Sequence, residues 1–178
     1  VIGDKNGVGI TYPYLAENIE IGTTILIDDG NIRMTVSSIK DSNVECVVEN
    51  DGLISDRKSI NVPGIDIDQN YISEDDRKDI LLGINQNVDF IAASFVRSSD
   101  DIIKLRRFLS INGGDDIRII SKIENSKGLK NLDSIIDVSD GVMIARGDMG
   151  VELPFEKLPT LQKKVIQKCL ERGKTVIT

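Results

Sequence analysis

The chain has 178 residues, with 22 Lys and Arg against 29 Asp and Glu, a formal net charge of −7. An acidic balance disfavours a groove for nucleic acid backbone. No stretch approaches the roughly 18 continuous apolar residues of a membrane span. There is no histidine, which excludes imidazole acid–base chemistry, Ser-His-Asp triads and imidazole metal sites. Cys46 and Cys169 lie too far apart for a metal-ligand pair and are too few for a disulfide framework, so a reducing compartment is expected. The opening Val1-Ile2-Gly3-Asp4-Lys5 has no signal-peptide shape and no initiating Met, and the chain is expected to start inside a longer protein.

Residues 1–64 read as β. A helical turn is expected only near Tyr14 to Asn18. Ile25-Leu26-Ile27 runs into Asp28-Asp29-Gly30, and then Ile32, Met34 and Val36 alternate with Arg33, Thr35 and Ser37. An Asp-Gly between two apolar runs, the second with period 2, predicts a hairpin. Val44 to Glu49 reads as another strand. Asn61-Val62-Pro63-Gly64 reads as a turn, and 65–72 as a polar linker. Few strands are present, so this β unit is expected to be incomplete at its N-terminus.

From Ser73 the style changes. Ser73-Glu74-Asp75-Asp76 resembles a capping box, with Ile72 placed as a hydrophobic staple. Ile80, Leu81 and Ile84 are expected to form the apolar face of its helix. Val88 to Val96 has the length of a buried strand. Ser98 or Ser99 can cap the next helix, which carries Ile102, Leu105 and Leu109 and stops at Gly113-Gly114. Ile117 to Ile123 is a second strand. Leu129, Leu132, Ile135 and Ile136 mark a third helix, and Val142 opens a third strand. Leu158, Leu161, Val165 and Cys169 share a face of a long helix that ends at Gly173. Thr175 to Thr178 begins a fourth strand. Strands starting near 88, 117, 142 and 175, alternating with helices, predict a parallel sheet covered by helices over 73–178. An open doubly wound sheet and part of a (β/α)8 barrel both fit. A whole barrel needs about 250 residues, so the chain could supply only about half of one. No Gly-rich fingerprint follows any strand, which weakens the nucleotide-binding open sheet.

Polar residues interrupt these apolar strands at their C-terminal ends, the rim where α/β folds bind ligands. Lys122 and Glu124 are two apart, so on a strand they face the same way. Asp148 is expected at the corresponding end of the next strand. Two carboxylates on neighbouring strand ends could share one Mg²⁺, which commonly takes one or two protein carboxylates and fills its shell with substrate oxygens and water. Lys122 beside them suits an anionic substrate or transition state. Gly147 permits close backbone approach, and a turn of helix after it would aim N–H groups at an anion. The plainer alternatives are a structural Lys122–Glu124 ion pair, Asp148 as a helix cap, Arg146 paired with a neighbouring carboxylate, Ser94 as a core hydroxyl, Asp28-Asp29-Gly30 as a turn only, and Arg57-Lys58 as a solvated loop.

Ile119 to Asn125 (IISKIEN), Gly141 to Pro154 (GVMIARGDMGVELP), Asn61 to Gly64 (NVPG), Ala93-Ser94-Phe95-Val96-Arg97 and Gly173 to Thr178 together resemble the pyruvate kinase family, in order and spacing, over essentially the whole chain. The resemblance implies an α/β fold: a partial (β/α)8 TIM barrel of about four βα units, from its fourth to its seventh strand, over 73–178, with 1–64 as a small, incomplete all-β lid domain. It implies a cytoplasmic, glycolytic parent enzyme that transfers a phosphoryl group from phosphoenolpyruvate to ADP, giving pyruvate and ATP, and that acts as a homotetramer. Lys122 would be the catalytic residue, neutralising charge on the phosphoryl group and enolate. Glu124 and Asp148 would hold Mg²⁺ or Mn²⁺. Gly147, Asp148 and Ser94 would contact substrate, and Asp29 and Lys58 in the lid would approach the nucleotide phosphates. K⁺ is implied as a further cofactor, with ligands outside this segment. On its own the segment is expected to be inactive and to self-associate through exposed strand edges. A metal-dependent C–C lyase on a related barrel, and a non-catalytic module, are the competing functions.

Overall fold

The computed structural model describes residues 3–4, 6–65 and 70–178, and the expected linker lies partly outside them. The chain divides into two compact units, Val1–Asp68 and Gln69–Thr178.

The first unit contains one turn of helix, α1 (Leu15–Asn18), and four strands, β1 (Thr24–Ile27), β2 (Ile32–Lys40), β3 (Asn43–Val48) and β4 (Ile60–Asn61). They form one sheet in the order β3-β2-β1-β4. The hairpin expected at Asp28-Asp29-Gly30 is present: β1 and β2 are antiparallel, with Ile27 opposite Ile32. Asp28, Asp29 and Gly30 take φ of 54°, 55° and 87°. That left-handed run is why two Asp and a Gly stand there, since these types tolerate positive φ. The Asp28 carbonyl closes the turn by accepting from Asn31 N–H at 3.1 Å. Leu15, Ile19, Ile25, Val36 and Val62 form the small core of this unit. The strand at Ile60–Asn61, antiparallel to β1, falls just where the sequence reads as a turn; two residues before a proline carry no period for a pattern to detect.

The second unit runs α2 (Glu74–Asn85), β5 (Phe90–Ala93), α3 (Ser99–Ile111), β6 (Arg118–Ile123), α4 (Ser126–Lys130), α5 (Leu132–Val138), β7 (Gly141–Ile144), α6 (Arg146–Glu152), a 3₁₀ turn (Phe155–Lys157), α7 (Leu158–Glu171) and β8 (Thr175–Ile177). The capping box at Ser73 is formed: Ser73 N–H donates to Asp76 Oδ2 at 2.8 Å, and Asp76 N–H to Ser73 Oγ at 3.1 Å. Helix α3 starts likewise at Ser98, whose N–H donates to Asp101. It ends where Gly113 turns to φ 82° and Gly114 N–H reaches back to the Leu109 carbonyl. The third expected helix is two: Asn131 ends α4 and begins α5. Leu81 does not serve as core; it is exposed, and Ile80 and Ile84 alone of the three pack on the main cluster.

The four strands of this unit are parallel and ordered β5-β6-β7-β8. That order decides between the two architectures left open by the sequence. A doubly wound sheet reverses its strand order at a switch point so that helices cover both faces; here each strand adds to the same side. The faces agree. Ile91, Ala93, Ile119, Ile123, Val142, Ile144 and Val176 pack into one cluster with Leu105, Leu109, Ile135, Ile136, Val165 and Cys169 of the helices. Their alternates, Phe90, Ile120, Lys122, Met143 and Ile177, lie outside that cluster, and Phe90 and Ile177 are exposed. Helices on one face and a consecutive parallel order are the wall of a partial barrel. The helix-covered layer is further fixed by polar clasps. Lys168 of α7 and Arg172 at its C-cap both grip Asp133 of α5, and Arg172 also holds Asp137.

Candidate active site

Lys122 is the penultimate residue of β6, on the face opposite the helices. Its Nζ lies 2.6 Å from Glu124 Oε1 and donates to Ser94 Oγ at 2.8 Å. The parallel register Ala93–Ser121 places Ser94, just past β5, beside Lys122. Three of the expected site residues, Ser94, Lys122 and Glu124, are therefore brought together at the C-terminal rim.

Glu124 has a side chain only 1% exposed, an expensive place for a carboxylate. One oxygen is held by a backbone donor: Phe95 N–H reaches Oε2 at 2.6 Å. The other, Oε1, is in ionic contact with Lys122 but has no hydrogen bond of good geometry. A carboxylate oxygen that meets one ammonium keeps lone-pair capacity for a hard cation beside it.

Asp148 differs from expectation in its local setting. Strand β7 ends at Ile144, and Asp148 sits in the first turn of α6. It stays at the correct rim, because Ile123 pairs with Ile144 and Ala145 N–H donates to the Ile123 carbonyl. Its side chain is half-buried. Gly147 precedes it in the same turn, where N–H groups have no intrahelical acceptor. A Cβ on Gly147 would meet no atom within 4 Å, so the space beside that turn is open. Arg146 is exposed and forms no ion pair among the described residues, contrary to the pairing expected of it.

Among the described residues, no group of three or more Cys, Asp or Glu side chains converges into an all-protein metal cage. Two carboxylates on neighbouring rim segments, one with an open buried oxygen, nevertheless fit Mg²⁺, which keeps most of its shell for substrate and water.

On the β unit, Asp29 and Lys58 lie close together through intermediaries. Lys58 Nζ pairs with Asp28 at 2.7 Å. Asp29 accepts from Ser59 Oγ at 2.8 Å and returns its N–H to that hydroxyl at 3.2 Å. The hydrogen bond from Lys58, helped by one from Asn31, holds the Asp28 carboxyl below its ordinary range, and Asp28 in turn raises the Lys58 ammonium. Lys58 is thus not a merely solvated loop residue.

Sequence reasoning missed Phe95 and Tyr71. Phe95 has φ 52° and is about half exposed, a conformation that costs a bulky residue dearly. Tyr71 donates its hydroxyl to the Ser94 carbonyl at 2.9 Å. Burial first, then the carboxylates of Asp101, Glu124 and Asp76, push its phenol far above the usual value. Neither residue carries a sequence signal, since one acts through its backbone and the other from beyond the preceding helix.

A singly wound parallel wall with a lysine and two carboxylates on its C-terminal rim has the arrangement of a barrel-type protein, whose ligands meet that rim. The comparisons give the family. The model of the pyruvate kinase barrel domain matches residues 2–178, and the chain belongs to the pyruvate kinase family. The match runs through the β unit as well as the α/β unit. The chain is 45% identical over 178 residues to the pyruvate kinase of Clostridium acetobutylicum, covering all of this chain and 38% of the relative. It is 46% identical over 180 residues to that of Bacillus licheniformis, covering all of this chain and 31% of the relative. A crystal structure of a pyruvate kinase from Cryptosporidium parvum superposes with a TM-score of 0.85 at 42% identity, over 93% of this chain and 35% of that one. The chain thus spans about a third of the length of the relatives it matches.

Proposed function

We propose that this chain carries the phosphoryl-transfer rim of a pyruvate kinase that moves a phosphoryl group between phosphoenolpyruvate and ADP. The observation that supports it most is the Ser94–Lys122–Glu124 cluster, in which a single cation is held over the rim by one hydroxyl and one buried carboxylate. Family membership supports the same reading.

Glu124 and Asp148 would hold Mg²⁺ or Mn²⁺, which when bound supplies positive charge to the substrate oxygens. Lys122, fixed at two points, presents its ammonium to the phosphoryl group and enolate without needing to reorganise. Ser94 keeps that ammonium on the rim and lies within reach of substrate itself. The free N–H groups around Gly147 and Asp148 bind the carboxylate of phosphoenolpyruvate or pyruvate. Asp29 and Lys58 serve the nucleotide phosphates, with Asp28 and Ser59 setting their orientation. Phosphoryl transfer asks the protein mainly for positioning and charge compensation, which suits a chain without histidine. K⁺, a homotetramer and a cytoplasmic setting complete the reading; no helix among the described residues is long and apolar enough to cross a membrane.

The test is Mn²⁺ binding to the complete gene product. Glu124→Gln and Asp148→Asn should each weaken it by at least tenfold, whereas an effect confined to one variant would remove the shared site.

A further inference from the structure

We infer that the Ser94–Phe95 peptide is a positioning clamp for Glu124, anchored by Tyr71. The inference rests on the reading of Glu124 as a metal ligand.

Both ends of that one peptide group are engaged. Its carbonyl, on Ser94, accepts from Tyr71 Oη at 2.9 Å. Its N–H, on Phe95, donates to Glu124 Oε2 at 2.6 Å. The chain reaches this orientation only because Phe95 adopts φ 52°, which a bulky L-residue holds only when its surroundings over-determine it. They do so here. Arg97 and Ser98 N–H both donate to the buried carboxylate of Asp101. The Val96 carbonyl meets Asn125 Nδ2 at 3.5 Å, and the Arg97 carbonyl accepts from Asn131 Nδ2 at 2.8 Å. A segment pinned on both sides keeps the Phe95 N–H aimed at Glu124.

Clamping Oε2 fixes the carboxylate plane and leaves Oε1 as the oxygen offered to a cation. Groups that orient a ligand in this way commonly tune metal affinity as strongly as ligand identity does. The Tyr71 hydrogen bond reaches Glu124 through the peptide, so Tyr71 is a positioning residue. Burial and three carboxylates keep its phenol neutral and able to donate.

The test uses the complete gene product at neutral pH without substrates. Mn²⁺ affinity is measured by electron paramagnetic resonance for wild type, Tyr71→Phe, Glu124→Gln and the double variant. Tyr71→Phe should weaken binding roughly two- to tenfold, the range of one hydrogen bond. The double variant should match Glu124→Gln within about twofold, since the two act as one unit. Wild-type affinity in Tyr71→Phe, or additive losses in the double variant, would overturn the clamp and leave the metal reading standing. Wild-type affinity in Glu124→Gln would overturn the metal reading and the clamp with it. A second measurement needs no variant to fold: the short bond should place the wild-type Phe95 amide proton well downfield in a ¹⁵N-resolved spectrum. An ordinary shift there would also overturn the clamp.

Discussion

Replacing Lys122 by Met should damage stability and turnover together, and a second substitution should separate the two. Lys122 pairs with a carboxylate whose side chain is 1% exposed, while its own side chain is 23% exposed. Removing one partner of a buried pair costs about 3–5 kcal/mol, because the other charge is left uncompensated. Partial access of water at the Lys122 end puts this case near the lower limit, about 3 kcal/mol. Phe95 N–H still serves Oε2, but Oε1 loses the ammonium that meets it. In Lys122→Met/Glu124→Gln the charge is gone, and Gln still accepts from Phe95 N–H. What remains is an imperfectly paired amide, at about 1–3 kcal/mol.

The double variant should therefore be more stable than Lys122→Met by up to about 2 kcal/mol, the cost of the stranded charge that it removes. Turnover should fall by about 10²–10³ in Lys122→Met, the usual worth of a charge-stabilising donor, and should not return in the double variant. Urea unfolding at neutral pH reads the first quantity, and steady-state phosphoryl transfer by the complete gene product reads the second. A double variant no more stable than Lys122→Met would refute the coupling. A Lys122→Met enzyme within a few-fold of wild type would remove Lys122 from the chemistry.

Asp28 should titrate below the ordinary aspartate value of 3.8, and Lys58→Met should bring its midpoint back up, as followed by carboxyl ¹³C shifts. The sign follows from the depressed value: the Asp28–Lys58 contribution is complete above the unfolded-state pKa and is lost as pH falls through the lower folded one. Tyr71 should ionise above the usual phenol range in an ultraviolet titration, and its contribution to stability should decline as pH rises past the unfolded value of about 10, because only the unfolded chain releases the proton there. Gly128→Ala should destabilise by about 1–3 kcal/mol in chemical unfolding, since its Cβ would stand 2.6 Å from the Val96 carbonyl, a backbone atom in the pinned segment.

The elements most readable in the sequence were those with an internal period or a local punctuation mark. The Ser73 box, the Gly113 stop and the Asp28-Asp29-Gly30 turn each satisfy backbone groups within a few residues, so local pattern suffices. Leu81 was misplaced because a helix of twelve residues with several apolar positions does not announce which of them faces the sheet. Asp148 was read as a strand end because a lone Gly147 does not say on which side of it the strand stops, whereas the chain already coils into α6 at Arg146. The Lys122–Glu124 pairing was legible from the period of two. Its dependence on Ser94 and on Phe95 N–H was not, because those contacts span 28 and 29 residues and one of them uses a backbone group any residue would supply. Tyr71 and Ser59 were invisible for the same reason.

That separation of about 28 residues is itself informative. In a singly wound parallel sheet each strand end is followed by a helix that returns the chain to the opposite rim before the next strand begins. Residues at successive C-terminal ends therefore recur at the length of one βα unit. The bonds between the β5 and β6 ends keep the register interval of that pair: Ser94 to Lys122 is 28 residues and Phe95 to Glu124 is 29, where Ala93 pairs with Ser121. Polar residues on otherwise apolar strands could be scattered if each were a separate structural ion pair. Falling one unit apart, they must converge on one edge of the sheet, since the parallel register leaves them no other place. Glu124 is buried there with its carboxylate met by Phe95 N–H from the β5 side and by Lys122 of its own strand. The loop that carries Phe95 depends on the cap that follows it, so deleting Asp100 in the first turn of α3 should carry Asp101 off the Arg97 and Ser98 amides and loosen Glu124, seen as weaker Mn²⁺ binding, without touching any residue of the rim.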